Sequence, residues 1–170
     1  MAKGVIDGLN TIALWDDGMA YMPREATTVG WNNDQVLYPE RGWSTRAMLR
    51  AGWFGAFHGA LLWPLARFAS ITGYEPALRL AHGIAEFALR GARLFRPDGR
   101  FYDMIEGHFY SRTTTAGGLL RLGLLTGNKE YVQMGERVYN HAKEWGTSYG
   151  WFPEDLWNFG CETCCIKERT

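Results

Sequence analysis

Near its C-terminal end the chain reads Gly160-Cys161-Glu162-Thr163-Cys164-Cys165, which gathers three thiols and a carboxylate into one short run. Thiolate and carboxylate together suit a borderline cation such as zinc, which lowers a thiol pKa and holds the sulfur as thiolate. A structural zinc site needs four ligands, and no second cluster of Cys or His stands elsewhere in the sequence. The same spacing also suits three inert thiols buried at a helix start. Three cysteines in one segment make a poor disulfide framework, so reduced thiols and a cytoplasmic setting are expected.

A second group of candidates is acidic and aromatic. Glu154 and Asp155 follow Trp151-Phe152-Pro153, and Asp103 holds the place of Glu154 one repeat earlier. A glycosidase needs a carboxyl group desolvated enough to hold a proton near neutral pH. These loop carboxylates fit that role; the alternative is a solvated loop charge. Trp31 and Trp151, in loops, are candidates to stack on a sugar ring. Of the four histidines, His58 and His108 stand near the starts of two helices, whereas His82 and His141 fall on second helices, where a surface role is expected.

Helices must hold these residues. Apolar periodicity predicts a helix over 1–14, with Val5, Ile6, Leu9, Ile12 and Ala13 on one face, stopped by Asp16-Asp17-Gly18. Residues 15–43 read as a long loop with room for short strands. Helical hairpins follow over 44–95 and 108–145, the first containing Pro64, which is expected to bend it, and Pro76, which suits a first helical turn. Within the first hairpin the helices are expected over 44–72 and 75–94. Residues 146–170 read as a loop and the start of another helix.

An internal repeat supports the hairpins. The stretch from Leu65 to Gly73 aligns with that from Leu119 to Gly127 at an offset of 54 residues, with Leu, Arg, Thr and Gly in register. Aromatic loops recur after each second helix at Asp17-Gly18, Asp98-Gly99 and Tyr149-Gly150. The predicted unit is helix, Thr-Gly turn, helix, aromatic loop, so the loops and the histidine-bearing helix starts share one end. Stacked two-helix repeats give an all-α fold, either an open superhelix or a closed (α/α)6 toroid. A ring of about six hairpins needs roughly twice this length. The chain is therefore expected to be part of a longer protein, with exposed helical faces that favour self-association.

Composition narrows the partners. Lys plus Arg and Asp plus Glu are both 18, so the basic footprint of a nucleic-acid binder is absent. No apolar run is long enough to cross a membrane. Aromatics at 15% with 21 glycines suit a carbohydrate cleft, and equally a core of large side chains.

His58-Gly59 with Ile71-Thr72-Gly73, Gly107-His108 with Leu125-Thr126-Gly127, and Glu162-Thr163-Cys164 resemble, in that order, motifs of the bacterial β-L-arabinofuranosidase family of glycoside hydrolases. The resemblance covers about residues 55–166. It implies an (α/α)6 barrel, zinc held by Glu162 and Cys164, sugar contacts from His58 and His108, and Glu154 as general acid/base. The family's nucleophile belongs to a later cysteine pair that this chain lacks, so the chain alone is expected to be inactive. The segment before Glu-Thr-Cys is shorter than in the family, and the adjacent Cys165 departs from its pattern.

The implied reaction is retaining hydrolysis of a β-L-arabinofuranoside-like bond by a zinc-bound thiolate. Two other classes compete. One is another carbohydrate-active (α/α) toroid enzyme without a thiol nucleophile, a lyase or an unsaturated-uronide hydrolase. The other is a non-catalytic helical-repeat module that binds glycan.

Overall fold

The computed structural model describes residues 1–22, 54–92, 94–101 and 109–153, with backbone alone for 54–58. The fold is all-α, and among the described residues the strands form one small hairpin. In order come α1 (Ala2–Ile12), β1 (Leu14–Asp16), β2 (Met19–Tyr21), α2 (Phe54–Thr72), α3 (Glu75–Glu86), α4 (Phe109–Thr126) and α5 (Lys129–Lys143). A π-helical turn, Phe87–Gly91, extends α3.

α2 with α3, and α4 with α5, form the two expected hairpins. α2 and α4 lie side by side and run parallel: Gly59 faces Ser111 and Thr115, and further along Leu62 faces Gly118. Small residues at these crossings let the backbones approach. Trp63 lies against Gly117, where a β-carbon would meet its ring at 2.6 Å. α5 is amphipathic, burying Tyr131, Gly135, Val138 and Ala142 at helical spacing and leaving its other face to water. It starts at Asn128, whose Oδ1 accepts from the backbone N–H groups of Glu130 and Tyr131. α3 starts at Glu75 with Pro76 in its first turn, as expected. Leu62, Leu80, Ile84, Phe87, Leu94, Leu119, Leu122 and Val138 make up the most deeply buried part of the core.

The repeat is visible in the backbone. Among the described residues, the glycines with positive φ are Gly18, Gly73, Gly99, Gly127 and Gly150. Two belong to the Thr-Gly turns and three to the aromatic loops.

Several boundaries differ from expectation. The N-terminal helix ends at Ile12, not 14, and Leu14 begins a strand that pairs with Tyr21. The cause is Asp17-Gly18: both residues have positive φ, 48° and 74°, which makes the two-residue turn of a tight hairpin rather than a helix stop alone. Of the apolar face expected on α1, Ile6 and Ala13 are buried and Leu9 partly so, but Val5 and Ile12 are exposed. α1 contributes polar contacts as well: Asn10 Nδ2 donates to the Pro76 carbonyl, and the Tyr74 hydroxyl donates to Asp7. That bond raises the Tyr74 pKa, with smaller contributions from desolvation and the Asp7 charge. α2 continues through Pro64 to Thr72. The helix expected over 75–94 changes to π-helical geometry at Phe87. The described residues do not close a ring.

Candidate functional site

The aromatic loops lie at one end of the hairpins, and ring contacts tie the second and third together. Phe95 and Phe101 bridge across the Asp98-Gly99 turn, with ring centroids 6.2 Å apart. Phe101 meets Phe109, at the start of α4, edge to face at 6.3 Å. Phe109 stacks on Phe152 of the last loop at 5.3 Å and 16°. Gly146 permits this, because a β-carbon there would strike the Phe152 ring. Arg112 is buried beside the same rings, 5.8 Å from the Phe101 centroid, and its Nη1 donates to the Leu94 carbonyl at 3.3 Å.

Trp151 is the predicted sugar-stacking residue that the structure describes. Its backbone is fixed from both sides: Thr147 N–H donates to its carbonyl at 2.9 Å, and its own N–H donates to Thr147 Oγ1 at 3.1 Å. The residue as a whole is 45% exposed. His58 lies in the second turn of α2, next to the Gly59 that faces Ser111 and Thr115. Trp31, His108, Glu154, Glu162 and Cys164 lie outside the described residues, as do Asp103, Cys161 and Cys165. Among the described residues no three His, Cys, Asp or Glu side chains converge on a metal position.

His141 corrects an expectation. It is not a surface residue: its side chain is 14% exposed, with its ring edge-on to Phe101 at 4.9 Å. Trp145 Nε1 donates to His141 Nε2 at 3.2 Å. An indole N–H only donates, so Nε2 accepts and Nδ1 carries the proton that faces Glu144 Oε2, also 3.2 Å away. Both nitrogens are committed, and the histidine braces the loops. His82 is likewise half-buried, its ring 5.9 Å from that of Tyr131.

A polar network fixes the first loop to the hairpins. Arg90, in the π-helical turn, pairs with Asp17 at 3.0 Å and with Glu86, and donates to the Asp17 carbonyl. Its hydrogen bonds to Asp17 and then Glu86 raise its pKa. The other Glu86 oxygen accepts from the Tyr131 hydroxyl of α5. Burial, then that bond and the Glu86 charge, push the Tyr131 phenol well above its usual range. Sequence patterning missed Arg112, His141 and Arg90. The signal for Arg90 was its place four residues after Glu86, the helical spacing of an ion pair. Nothing local marked Arg112 as buried.

Comparison with family models returns no match, and comparison with curated proteins returns none either. Among solved structures, the chain is similar to the crystal structure of a sugar epimerase from a ruminal bacterium. The TM-score is 0.56 at 15% identity, over 89% of this chain. The chain spans 36% of that structure's own length, so it corresponds to about a third of such a fold.

Proposed function

We propose that this chain is part of a carbohydrate-processing enzyme built from helical hairpins, with its site at the end where the aromatic loops meet. The observation that carries this reading is the likeness in fold to a sugar epimerase over 89% of the chain. An exposed Trp151 at that end supports it.

The reaction assigned first is hydrolysis of a glycosidic bond, as the Glu-Thr-Cys resemblance implies. Glu154 would protonate the leaving oxygen, and His58 and His108 would hold the sugar. Glu162 and Cys164 are the residues of this chain proposed as zinc ligands. The second reading is epimerisation, favoured by the structural likeness. There a base removes the proton next to a sugar carbonyl and an acid returns one to the opposite face, with no thiol involved.

A single experiment separates them. The protein, as this chain and with any flanking sequence its gene encodes, is incubated in D2O with aryl glycosides and with reducing sugars, and followed by NMR. Release of the aglycone supports hydrolysis. Deuterium entering a sugar carbon with inversion supports epimerisation. Neither, alongside saturable glycan binding, would leave the non-catalytic binding module as the correct class.

A further inference from the structure

Away from the aromatic end, the described residues form a groove of about 430 Å³ along α2 and α4, lined by Trp63, Gly117, Leu120, Arg121 and Leu124 among others. Two equivalent stripes run along these helices, and all their residues but Arg67 line the groove. On α2 these are Trp63, Arg67 and Ser70; on α4, one repeat later, Gly117, Arg121 and Leu124. Each stripe has the spacing that places its residues on one helix face.

The charge of this face is one-sided. Neither α2 nor α4 contains a single Asp or Glu. The Arg121 guanidinium lies over the Trp63 ring, 5.2 Å from its centroid. Among the described residues it has no carboxylate or carbonyl partner. Arg67 is exposed and its side chain has none either. Trp63 is 40% exposed beside it. A guanidinium engaged with an indole through its π-face contact still has N–H groups to offer, and these match a carboxylate in two-point geometry. Apolar walls beside it match the less polar face of a sugar ring.

We propose that this groove binds the carboxylate of an acidic sugar, a uronate, through Arg121 with Arg67 adding to the attraction. The occupant is chosen by charge complementarity, and its sugar character rests on the carbohydrate reading above.

The test is titration of the full chain with glucuronate, glucose and benzoate, followed by calorimetry and tryptophan emission. Saturable glucuronate binding is expected, with glucose at least about tenfold weaker because the charge-assisted contact is missing. R121Q should weaken glucuronate by a similar factor, added salt should weaken it further, and W63F should remove most of the emission change. R121K, which keeps the charge but not the fork, should fall between. Circular dichroism confirms that each variant is folded.

Equal binding of glucose and glucuronate, unchanged in R121Q, overturns this proposal and leaves the carbohydrate reading intact. Benzoate binding without glucuronate binding overturns the sugar-acid assignment. A concentration-dependent dimer that W63S abolishes, with no glucuronate binding, would make a second copy the occupant and overturn the proposal. Glucuronate binding at Arg121 in a protein that converts no sugar supports the proposal and removes the enzymatic reading.

Discussion

Gly99→Ala tests whether the second aromatic loop is seated on α5 as closely as described. Gly99 is buried, with φ of 87°. A β-carbon there would stand 2.4 Å from Arg137 Cβ, 2.5 Å from its carbonyl carbon and 2.7 Å from Val138 N. These obstacles are mostly helix backbone, which does not step aside as a side-chain tip would. Gly73 supplies the reference: its φ is 65°, yet nothing lies within 4 Å of its added carbon. Gly73→Ala therefore registers the backbone conformation alone, about 1 kcal/mol. Gly99→Ala adds overpacking of about 1–3 kcal/mol, for a total near 2–4 kcal/mol. At roughly 2–4 °C per kcal/mol for a chain of this size, Tm should fall a few degrees for the first and about 4–16 °C for the second. Urea unfolding with equal m-values gives the same comparison at fixed temperature. Should the two variants lose the same stability, the loop is not packed against α5 and the account of the aromatic end is wrong.

Other consequences can be measured separately. Gly59→Ala, whose new carbon would lie 2.9 Å from the Ser111 carbonyl, should cost about 1–3 kcal/mol, while Gly4→Ala, with open space, should gain about 0.5–1 kcal/mol from helix propensity; denaturation of both checks the sign. Tyr131 keeps its proton in the fold after an unfolded tyrosine has lost it near pH 10, so the folded state binds more protons and stability should fall as pH rises above 10. Tyr131→Phe should flatten that alkaline slope and, at neutral pH, cost about 1 kcal/mol for the lost bond to Glu86. Arg90→Gln should cost only about 0.5–1 kcal/mol, because the Arg90 and Asp17 side chains are 48% and 81% exposed, and the cost should shrink in high salt. For the proposed zinc site, elemental analysis should find metal that Glu162→Ala and Cys164→Ser both remove; stoichiometric zinc in both variants would refute the ligand assignment.

Most of the helical framework was legible because it is written twice. Thr72-Gly73 and Thr126-Gly127 repeat as turns, and the Asp-Gly and Tyr-Gly loops repeat as tight reversals, each with the positive φ that glycine accommodates. The start of α3 was equally plain, since Pro76 suits a first helical turn. Errors arose where local pattern and tertiary contact disagree. Leu14 looks like the continuation of a helical stripe, but the Asp17-Gly18 turn pairs it with Tyr21. His141 looks like a polar residue on an outer helix, but Phe101 arrives from the second aromatic loop and Trp145 folds back from just past the helix end to cover it. The chemistry was less legible than the scaffold. Of the residues singled out for a site, Trp151 is the one whose side chain is described, and its exposure agrees with a binding role without choosing the reaction.

Trp63 and Gly117 occupy the same position in successive repeats and also touch each other. Adjacent copies of a duplicated unit meet their own counterparts at such places, and two equal residues there would either collide or leave a hole. Here the large side chain of one copy fills the space that the glycine of the other leaves. The hairpins are thus complementary rather than interchangeable, and averaging them into a consensus repeat would erase the fit between them. Their order along the chain is fixed by shape.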